Sequence, residues 1–99
     1  MEKRVAHYSL DLIRILIKED NYRITGSAFR DAISLGLDED DILEIVSKLS
    51  PKELYKSMTT HYDFKVWQDV YYIDMHKLKL YIKLQINDDA IIISFKERT

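Results

Sequence analysis

Residues 77–86 read KLKLYIKLQI, and the alternation in this stretch decides the fold class. Leucine or isoleucine occupies every even position from Leu78 to Ile86, and the odd positions hold lysine, tyrosine or glutamine. Because successive side chains of a β-strand point to opposite faces of a sheet, this pattern predicts a strand with one buried and one solvated face. One-sided burial of this kind is typical of antiparallel sheets.

A second strand is predicted over residues 90–96. We expect its side chains to face alternately inward (Ile91, Ile93, Phe95) and outward (Ile92, Ser94, Lys96). Opposed residues must share a face, so the connection needs an even number of residues or a bulge. A loop of residues 88–89 places Tyr81 directly opposite Lys96, whereas a loop of residues 87–88 places it opposite Ser94. In both registers Tyr81 and Lys96 are neighbours on the polar face, directly opposed or diagonal.

Two further strands are predicted before this pair, over about 53–61 and 66–73. Their alternation is ambiguous, because apolar and aromatic residues occupy both parities in the second of them. The periodicity therefore leaves open which way Lys56 and Gln68 point. Four consecutive strands joined by short connections predict an antiparallel meander.

The first half of the chain has helical periodicity instead. Ser9 is predicted to cap a first helix that stops near Asn21, and residues 22–24 are expected to form a short extended link. Thr25 or Ser27 begins a second helix, and Gly36 closes it at a position that favours the left-handed conformation. The side chains expected to face inward on these two helices are Leu10, Leu12, Ile13, Leu16, Ile17, Phe29, Ala32, Ile33 and Leu35.

A third helix is predicted to begin at Asp38, with Asp41 at its third position, and to end before Ser50-Pro51. Its expected inward residues are Ile42, Ile45, Val46 and Leu49. The predicted fold class is therefore α+β, with three N-terminal helices packed on the apolar face of a mostly antiparallel β-sheet. No linker or repeat interrupts the pattern, so we expect a single domain over residues 1–99.

Composition narrows the classes of protein that the chain can belong to. Its 99 residues are 46% hydrophobic and 32% charged with two glycines and one proline, which excludes a disordered or low-complexity chain. The longest strongly apolar run is residues 90–93, far short of the ~20 residues that span a bilayer. The first residues are basic without an apolar segment after them, so we expect no signal peptide and a cytoplasmic location.

The residue types for metal or thiol chemistry are scarce. There is no cysteine, and the three histidines (His7, His61, His76) lie far apart in the sequence. The acidic run of residues 38–41 is interpreted as a solvated helix start, since carboxylates favour the positive end of a helix dipole. We therefore expect no metal site and no cofactor.

Positive charge is concentrated in the second half of the chain. The net charge is −2 overall, with −3 in residues 1–49 and +1 in residues 50–99. The polar sheet face carries Lys79, Tyr81, Lys83 and Lys96, with Tyr55, Lys56, Tyr62 and Tyr72 on neighbouring segments. Lysines that pair with phosphates and rings that stack on bases suit single-stranded RNA. The alternative is a non-catalytic module that binds another protein through a sheet edge.

Several motifs resemble the motility quorum-sensing regulator (MqsR) family of toxins. They are KSMTT (56–60), WQDVY (67–71), YIK (81–83) and SFKE (94–97), together with MEKR (1–4), His7 and LGLD (35–38). The resemblance covers essentially the whole chain. It implies a RelE-like ribonuclease fold and a sequence-specific, ribosome-independent mRNA endonuclease that cuts at GC-containing triplets such as GCU and so inhibits translation.

The resemblance also implies the site and the partners. The family's active-site residues match Lys56, Gln68, Tyr81 and Lys96, while Tyr55 and Met58 flank Lys56 and are expected to line the substrate path with Lys79 and Lys83. The implied partners are the mRNA substrate and a cognate MqsA-type antitoxin with a zinc-binding part and a helix-turn-helix part. Any DNA contact then belongs to the antitoxin, and we expect none with membranes.

Overall fold

The computed structural model describes residues 1–99 and has the predicted α+β class. Its helices are α1 (Leu10–Lys18), α2 (Gly26–Ser34) and α3 (Glu39–Ser47), followed by a short 3-10 helix (Pro51–Glu53). Its strands are β1 (Glu2–Lys3), β2 (Tyr22–Ile24), β3 (Leu54–Thr59), β4 (Trp67–Met75), β5 (Leu78–Asn87) and β6 (Asp89–Glu97). No helix has the length and apolar character needed to cross a membrane.

The sheet is wider than the predicted meander. Strands β3 to β6 pair antiparallel in sequence order, as predicted, and β1 and β2 extend the two edges to give the order β1-β3-β4-β5-β6-β2. The predicted link at residues 22–24 is thus an edge strand, parallel to β6, and β1 pairs antiparallel with β3. Both are too short for periodicity to reveal, and they form because neighbouring strands offer unpaired backbone groups. The helices consequently do not form an uninterrupted N-terminal block.

The β5–β6 hairpin contains a bulge that sets its register. Asp88, with a φ of 67°, is the single residue between the paired Asn87 and Asp89. The register then shifts between Lys83 and Leu84, and beyond this shift Tyr81 lies directly opposite Lys96. The prediction that Tyr81 and Lys96 are neighbours on the polar face is confirmed, and of the two registers left open the structure has the directly opposed one. The loop has one residue, and the bulge, which was the predicted alternative to an even loop, restores the shared face.

The same bulge makes part of the predicted sidedness of β6 wrong. Ala90 and Ile92 belong to the core before the bulge, and Phe95 belongs to it afterwards. Ile92, expected outward, is 1% exposed, whereas Ile93, expected inward, is only half-buried. Ile91, also expected inward, is buried but does not join the helix-side core cluster. An extra residue in one strand reverses the parity of all residues beyond it, which strict alternation does not anticipate.

The predicted helix caps are confirmed at all three helix starts. Ser9 accepts from the backbone N–H of Leu12, and Thr25, rather than Ser27, accepts from Ala28. Asp38 and Asp41 satisfy each other's backbone N–H groups in a capping box. At the other end, α1 stops at Lys18, before the predicted Asn21, and Gly36 follows α2 with a φ of +81°.

The core lies between the helices and one face of the sheet. All four residues predicted for α3 are at most 1% exposed. On α2 the prediction is partly wrong, because Ala28 and Ala32 are buried while Phe29 and Ile33 are 40% and 50% exposed. Small residues allow this helix to approach β6 closely, and that leaves its larger side chains at the rim. Leu12 of α1, also expected inward, is 44% exposed.

Candidate active site on the sheet face opposite the helices

Strand parity brings four predicted site residues to one face. Tyr81 lies between the core residues Leu80 and Ile82, so it points away from the helices. Lys56, Gln68, Tyr81 and Lys96 come one each from β3, β4, β5 and β6, which are consecutive in the sheet. The orientation that the sequence left open for Lys56 and Gln68 is therefore toward this face, which we call the polar face.

The neighbours of Lys56 and Gln68 show how the polar face is built. Lys56 is registered with Val70 on β4, and Val70 with Lys83 on β5. Val70 is fully buried without joining the helix-side core, so it forms an apolar floor between the two lysines. In the next row, Gln68 Nε2 donates a 2.9 Å hydrogen bond to Oε1 of Gln85, which fixes the side-chain amide of Gln68.

Tyrosines and cations interleave along the third row. The rings of Tyr55 and Tyr72 stack with centroids 4.3 Å apart, and Tyr72 lies 5.9 Å from Tyr81 at a tilt of 46°. The ammonium groups of Lys96 and Lys83 lie 5.0 Å and 5.9 Å from the centroid of Tyr81. The phenol of Tyr81 is thus held between cations and rings, where an incoming phosphate would meet both.

The environment of the polar face shifts the pKa values of Tyr81 and Lys83 in opposite directions. Burial raises the pKa of Tyr81, and the neighbouring Tyr72 adds to this, while the charge of Lys56 acts in the opposite direction. Burial lowers the pKa of Lys83, and the positive charges of Lys96 and Lys56 lower it further. Tyr81 therefore keeps its proton at neutral pH, and Lys83 gives up its proton more readily than a free lysine does.

Glu2 is a polar-face residue that the sequence analysis missed. Lys56 Nζ donates a 2.6 Å hydrogen bond to Oε1 of Glu2, across 54 positions of sequence. This contact lowers the pKa of Glu2 and raises that of Lys56. It exists because β1 pairs with β3, with Glu2 registered on Met58. A two-residue strand carries no periodic signal, so nothing local in the sequence reveals it.

The four predicted substrate-contacting residues divide into two groups. Met58 and Lys83 line a groove of about 730 Å³ together with Gln68, and Tyr55 is 39% exposed beside Tyr72. Lys79 is registered with Asp74 and lines a different hollow, of about 440 Å³, at the β4–β5 turn. Tyr55, Met58 and Lys83 thus lie around the four predicted catalytic residues, whereas Lys79 lies at the end of the hairpin. We call those four residues, Lys56, Gln68, Tyr81 and Lys96, the quartet.

Comparisons with known proteins support the resemblance drawn from the motifs. A family model described as "Motility quorum-sensing regulator, toxin of MqsA" matches residues 5–97. The chain is also similar to the mRNA interferase toxin MqsR of Escherichia coli (strain K12), with 40% identity over 98 residues that cover 99% of this chain and 100% of that protein. Because the similarity runs along nearly the whole of both chains, this protein belongs to the motility quorum-sensing regulator (MqsR) family of toxins.

Proposed function

We propose that this toxin is an mRNA endoribonuclease that inhibits translation and growth by cutting mRNA without the ribosome, at GC-containing triplets such as GCU. The observation that carries the proposal is the convergence of Lys56, Gln68, Tyr81 and Lys96 from four neighbouring strands on one face. Its relative from Escherichia coli carries the name mRNA interferase toxin, which supports the same activity for this chain. The triplet at which the chain cuts is the part of the proposal that cleavage mapping must establish.

The proposed reaction uses the nucleophile that RNA carries itself. A 2′-OH loses its proton and its oxygen attacks the adjacent phosphorus. The bond from phosphorus to the 5′ oxygen breaks, and that oxygen takes up a proton. The products are a 2′,3′-cyclic phosphate and a free 5′-OH, so the protein must move two protons and stabilise charge on the phosphoryl oxygens.

The polar face offers groups for each task. Tyr81, which stays protonated, is the proton-transfer group that suits the leaving 5′ oxygen, and Lys83, with its lowered pKa, is the lysine suited to accept the 2′ proton. Lys56 and Lys96 clamp the phosphate, and Gln68 orients the phosphate or a neighbouring base. A cation ~4 Å from a phosphoryl oxygen contributes up to ~4 kcal/mol at an effective dielectric of 20. A positioned acid or base adds ~10²–10⁴ in rate.

Mapping of cleavage ends tests the proposal directly. The purified protein is incubated with a mixed transcript pool, and the new 5′ ends are sequenced. We expect cuts at GC-containing triplets that Tyr81→Phe and Lys96→Ala reduce by ~10²-fold or more. Tyr22→Phe and Lys48→Ala, which alter the same residue types in β2 and beside α3, serve as controls. Wild-type cleavage by the polar-face variants would overturn the assignment of the site.

The proposed chemistry needs no metal ion, and EDTA tests this point separately. Cleavage should proceed at the same rate in EDTA as in Mg²⁺, once ionic strength is matched. A strict requirement for a divalent ion would refute the metal-free scheme while leaving nuclease activity intact.

The proposed partner is an antitoxin of the MqsA type, since the matching family model is described as the toxin of MqsA. We propose that the antitoxin carries the zinc-binding and helix-turn-helix parts of the pair, so that DNA binding belongs to it. Adding the antitoxin should suppress cleavage of naked mRNA. A chain that binds the antitoxin yet never cuts naked mRNA would instead be the non-catalytic binding module.

A further inference from the structure

We propose that Tyr62 and Phe64, in the connection between β3 and β4, form a stacking subsite for unpaired bases of the RNA that flank the cut. The inference rests on the proposed function and deepens it, because it places substrate contacts outside the quartet on the sheet. Two aromatic side chains close to a cationic nuclease site would engage single-stranded RNA, whose bases are free to stack.

The exposure of these two rings is the first observation. The side chain of Tyr62 is 100% exposed and that of Phe64 is 68% exposed. Both are therefore held in water although neither contributes to the core, unlike the fully buried Tyr71 and Phe95. Replacing Tyr62 removes no packing, so its effects on activity can be separated from effects on folding.

The segment that carries the rings is a hydrogen-bonded turn. Thr60 Oγ1 donates to the carbonyl of Asp63 at 2.9 Å and accepts from its N–H at 3.0 Å. The N–H of Lys65 donates to Oδ1 of Asp63 at 2.9 Å, and the N–H of Thr60 donates to the carbonyl of Val66 at 3.0 Å. These bonds fix the backbone of the turn that carries Tyr62 and Phe64, which reduces the backbone entropy lost when a base stacks on the rings.

The subsite is continuous with the candidate active site. Tyr62 and Phe64 line the same groove of about 730 Å³ as Gln68, Lys83 and Met58. Its volume lies within the range of small-ligand pockets, so a nucleotide fits. A base on the rings and the reacting 2′-OH at Lys83 would then belong to one strand that runs along the groove.

Continuity with the candidate active site favours RNA over a protein as the occupant. Lys83 lies in the groove and Lys65 in the turn, so lysines accompany the rings, alongside the acidic Glu2 of the groove and Asp63 of the turn. Aromatic rings beside lysines form the pattern that binds single-stranded nucleic acid, in which rings hold bases and cations follow the backbone. Binding of the antitoxin at these rings is the alternative that the experiment must separate.

The test is an abasic scan of a short single-stranded RNA that the wild-type protein cuts at one mapped site. Each nucleotide from three before to three after the cut is replaced in turn by an abasic one. At one or two positions the wild type should lose about fivefold to thirtyfold in kcat/KM, mainly through KM. Tyr62→Ala or Phe64→Ala should cause a similar loss on the intact RNA and no further loss on the abasic RNA.

Conservative variants separate stacking from general apolar contact. Tyr62→Phe and Phe64→Tyr keep a ring and should cut like the wild type, whereas Phe64→Leu keeps apolar bulk and should behave like Phe64→Ala. Phe29→Ala, which removes an exposed ring from α2 outside the groove, is the matched control.

The outcomes distinguish the two proposals. If the wild type cuts no RNA, the proposed function itself fails. If the wild type cuts but Tyr62→Ala and Phe64→Ala keep its kcat/KM, the subsite is refuted and the nuclease stands. A loss of antitoxin affinity with unchanged cleavage kinetics would assign the rings to the protein partner and also overturn the subsite.

Discussion

At the scale of single residues, neighbouring side chains of the motif WQDVY (67–71) point to opposite faces of the sheet and have different roles. Gln68 faces the candidate site and bonds to Gln85, whereas Asp69 and Tyr71 are fully buried on the helix side. Val70 forms the apolar floor between Lys56 and Lys83. The motif therefore encodes both faces of a central strand, which explains why it contains one site residue among four structural ones.

The proposed role of Lys83 as a base predicts how the cleavage rate depends on pH. A general base must be unprotonated, so the cleavage rate should rise about tenfold per pH unit until the pKa of Lys83 is reached. That pKa is below the ordinary value of 10.5 because of burial and of Lys96 and Lys56, so the rise ends earlier than for a free lysine. Lys83→Arg keeps the charge but cannot give up a proton, and single-turnover rates across pH should lose the rise. An unchanged profile would remove Lys83 from proton transfer.

The contact between Glu2 and Lys56 predicts that Glu2 weakens RNA binding. Its carboxylate accepts a hydrogen bond from the ammonium group of Lys56. An RNA phosphate that binds Lys56 must replace this carboxylate. Glu2→Gln should return the pKa of Lys56 toward its ordinary value and lower KM for a short RNA by about twofold to fivefold, the size expected for an exposed ion pair. Glu19→Gln, at the end of α1, is the control.

The Lys56→Ala background tests the cause of this gain. Glu2→Gln should have no effect on KM there, because the competing ion pair is already gone. A gain that persists without Lys56 would show that Glu2 acts through general charge and not through this contact.

At the scale of elements, the turn after α2 depends on backbone conformation. Gly36 has a φ of +81°, and nothing lies within 4 Å of the position that a Cβ would occupy. Gly36→Ala should therefore lower the free energy of unfolding by about 1–2 kcal/mol through conformation alone, since L-residues are strained there. Urea denaturation followed by circular dichroism measures the loss.

Gly26, the first residue of α2, is the contrasting case. A Cβ there meets the flexible guanidinium of Arg30 at 3.1 Å and no backbone atom. Gly26→Ala should leave stability unchanged or raise it by about 0.5–1 kcal/mol, because alanine loses less entropy in a helix. Equal destabilisation by both substitutions would contradict the conformational explanation.

At the scale of the whole molecule, one buried carboxylate ties the first residues to the sheet. The N–H of His7 donates to both carboxylate oxygens of Asp69 at 3.0 Å, and the N–H of Tyr8 donates to one of them at 2.9 Å. These bonds anchor the segment that leads from β1 to α1. They link the core of β4 to the placement of Glu2 beside Lys56.

Asp69→Ala tests this anchor. It leaves two backbone N–H groups without their acceptor, so the free energy of unfolding should fall by about 1–3 kcal/mol. Hydrogen exchange at residues 2–8 should accelerate more than exchange in β5. Asp31→Ala, on the exposed side of α2, should change neither measurement, and a uniform acceleration across the sheet would show general destabilisation instead of a lost anchor.

Short-range chemistry controls the features that could be predicted from the residues alone. The alternation of β5, the caps at Ser9, Thr25 and Asp38, and the buried stripe of α3 all depend on residues at most a few positions apart. Parity within one hairpin predicted that Tyr81 and Lys96 are neighbours, directly opposed or diagonal, and the bulge selects the direct opposition. These features are predictable because their periods and hydrogen bonds repeat along the chain.

Features that depend on distant partners become visible only in the folded chain. Lys56 and Gln68 face the polar side because the helices cover the other side of strands whose two faces are both rich in apolar or aromatic residues. The two edge strands pair with segments more than 50 residues away, and the bulge in β6 moves Ile92 into the core. Such contacts are selected by the burial and backbone hydrogen bonding of the assembled sheet, which no local pattern records.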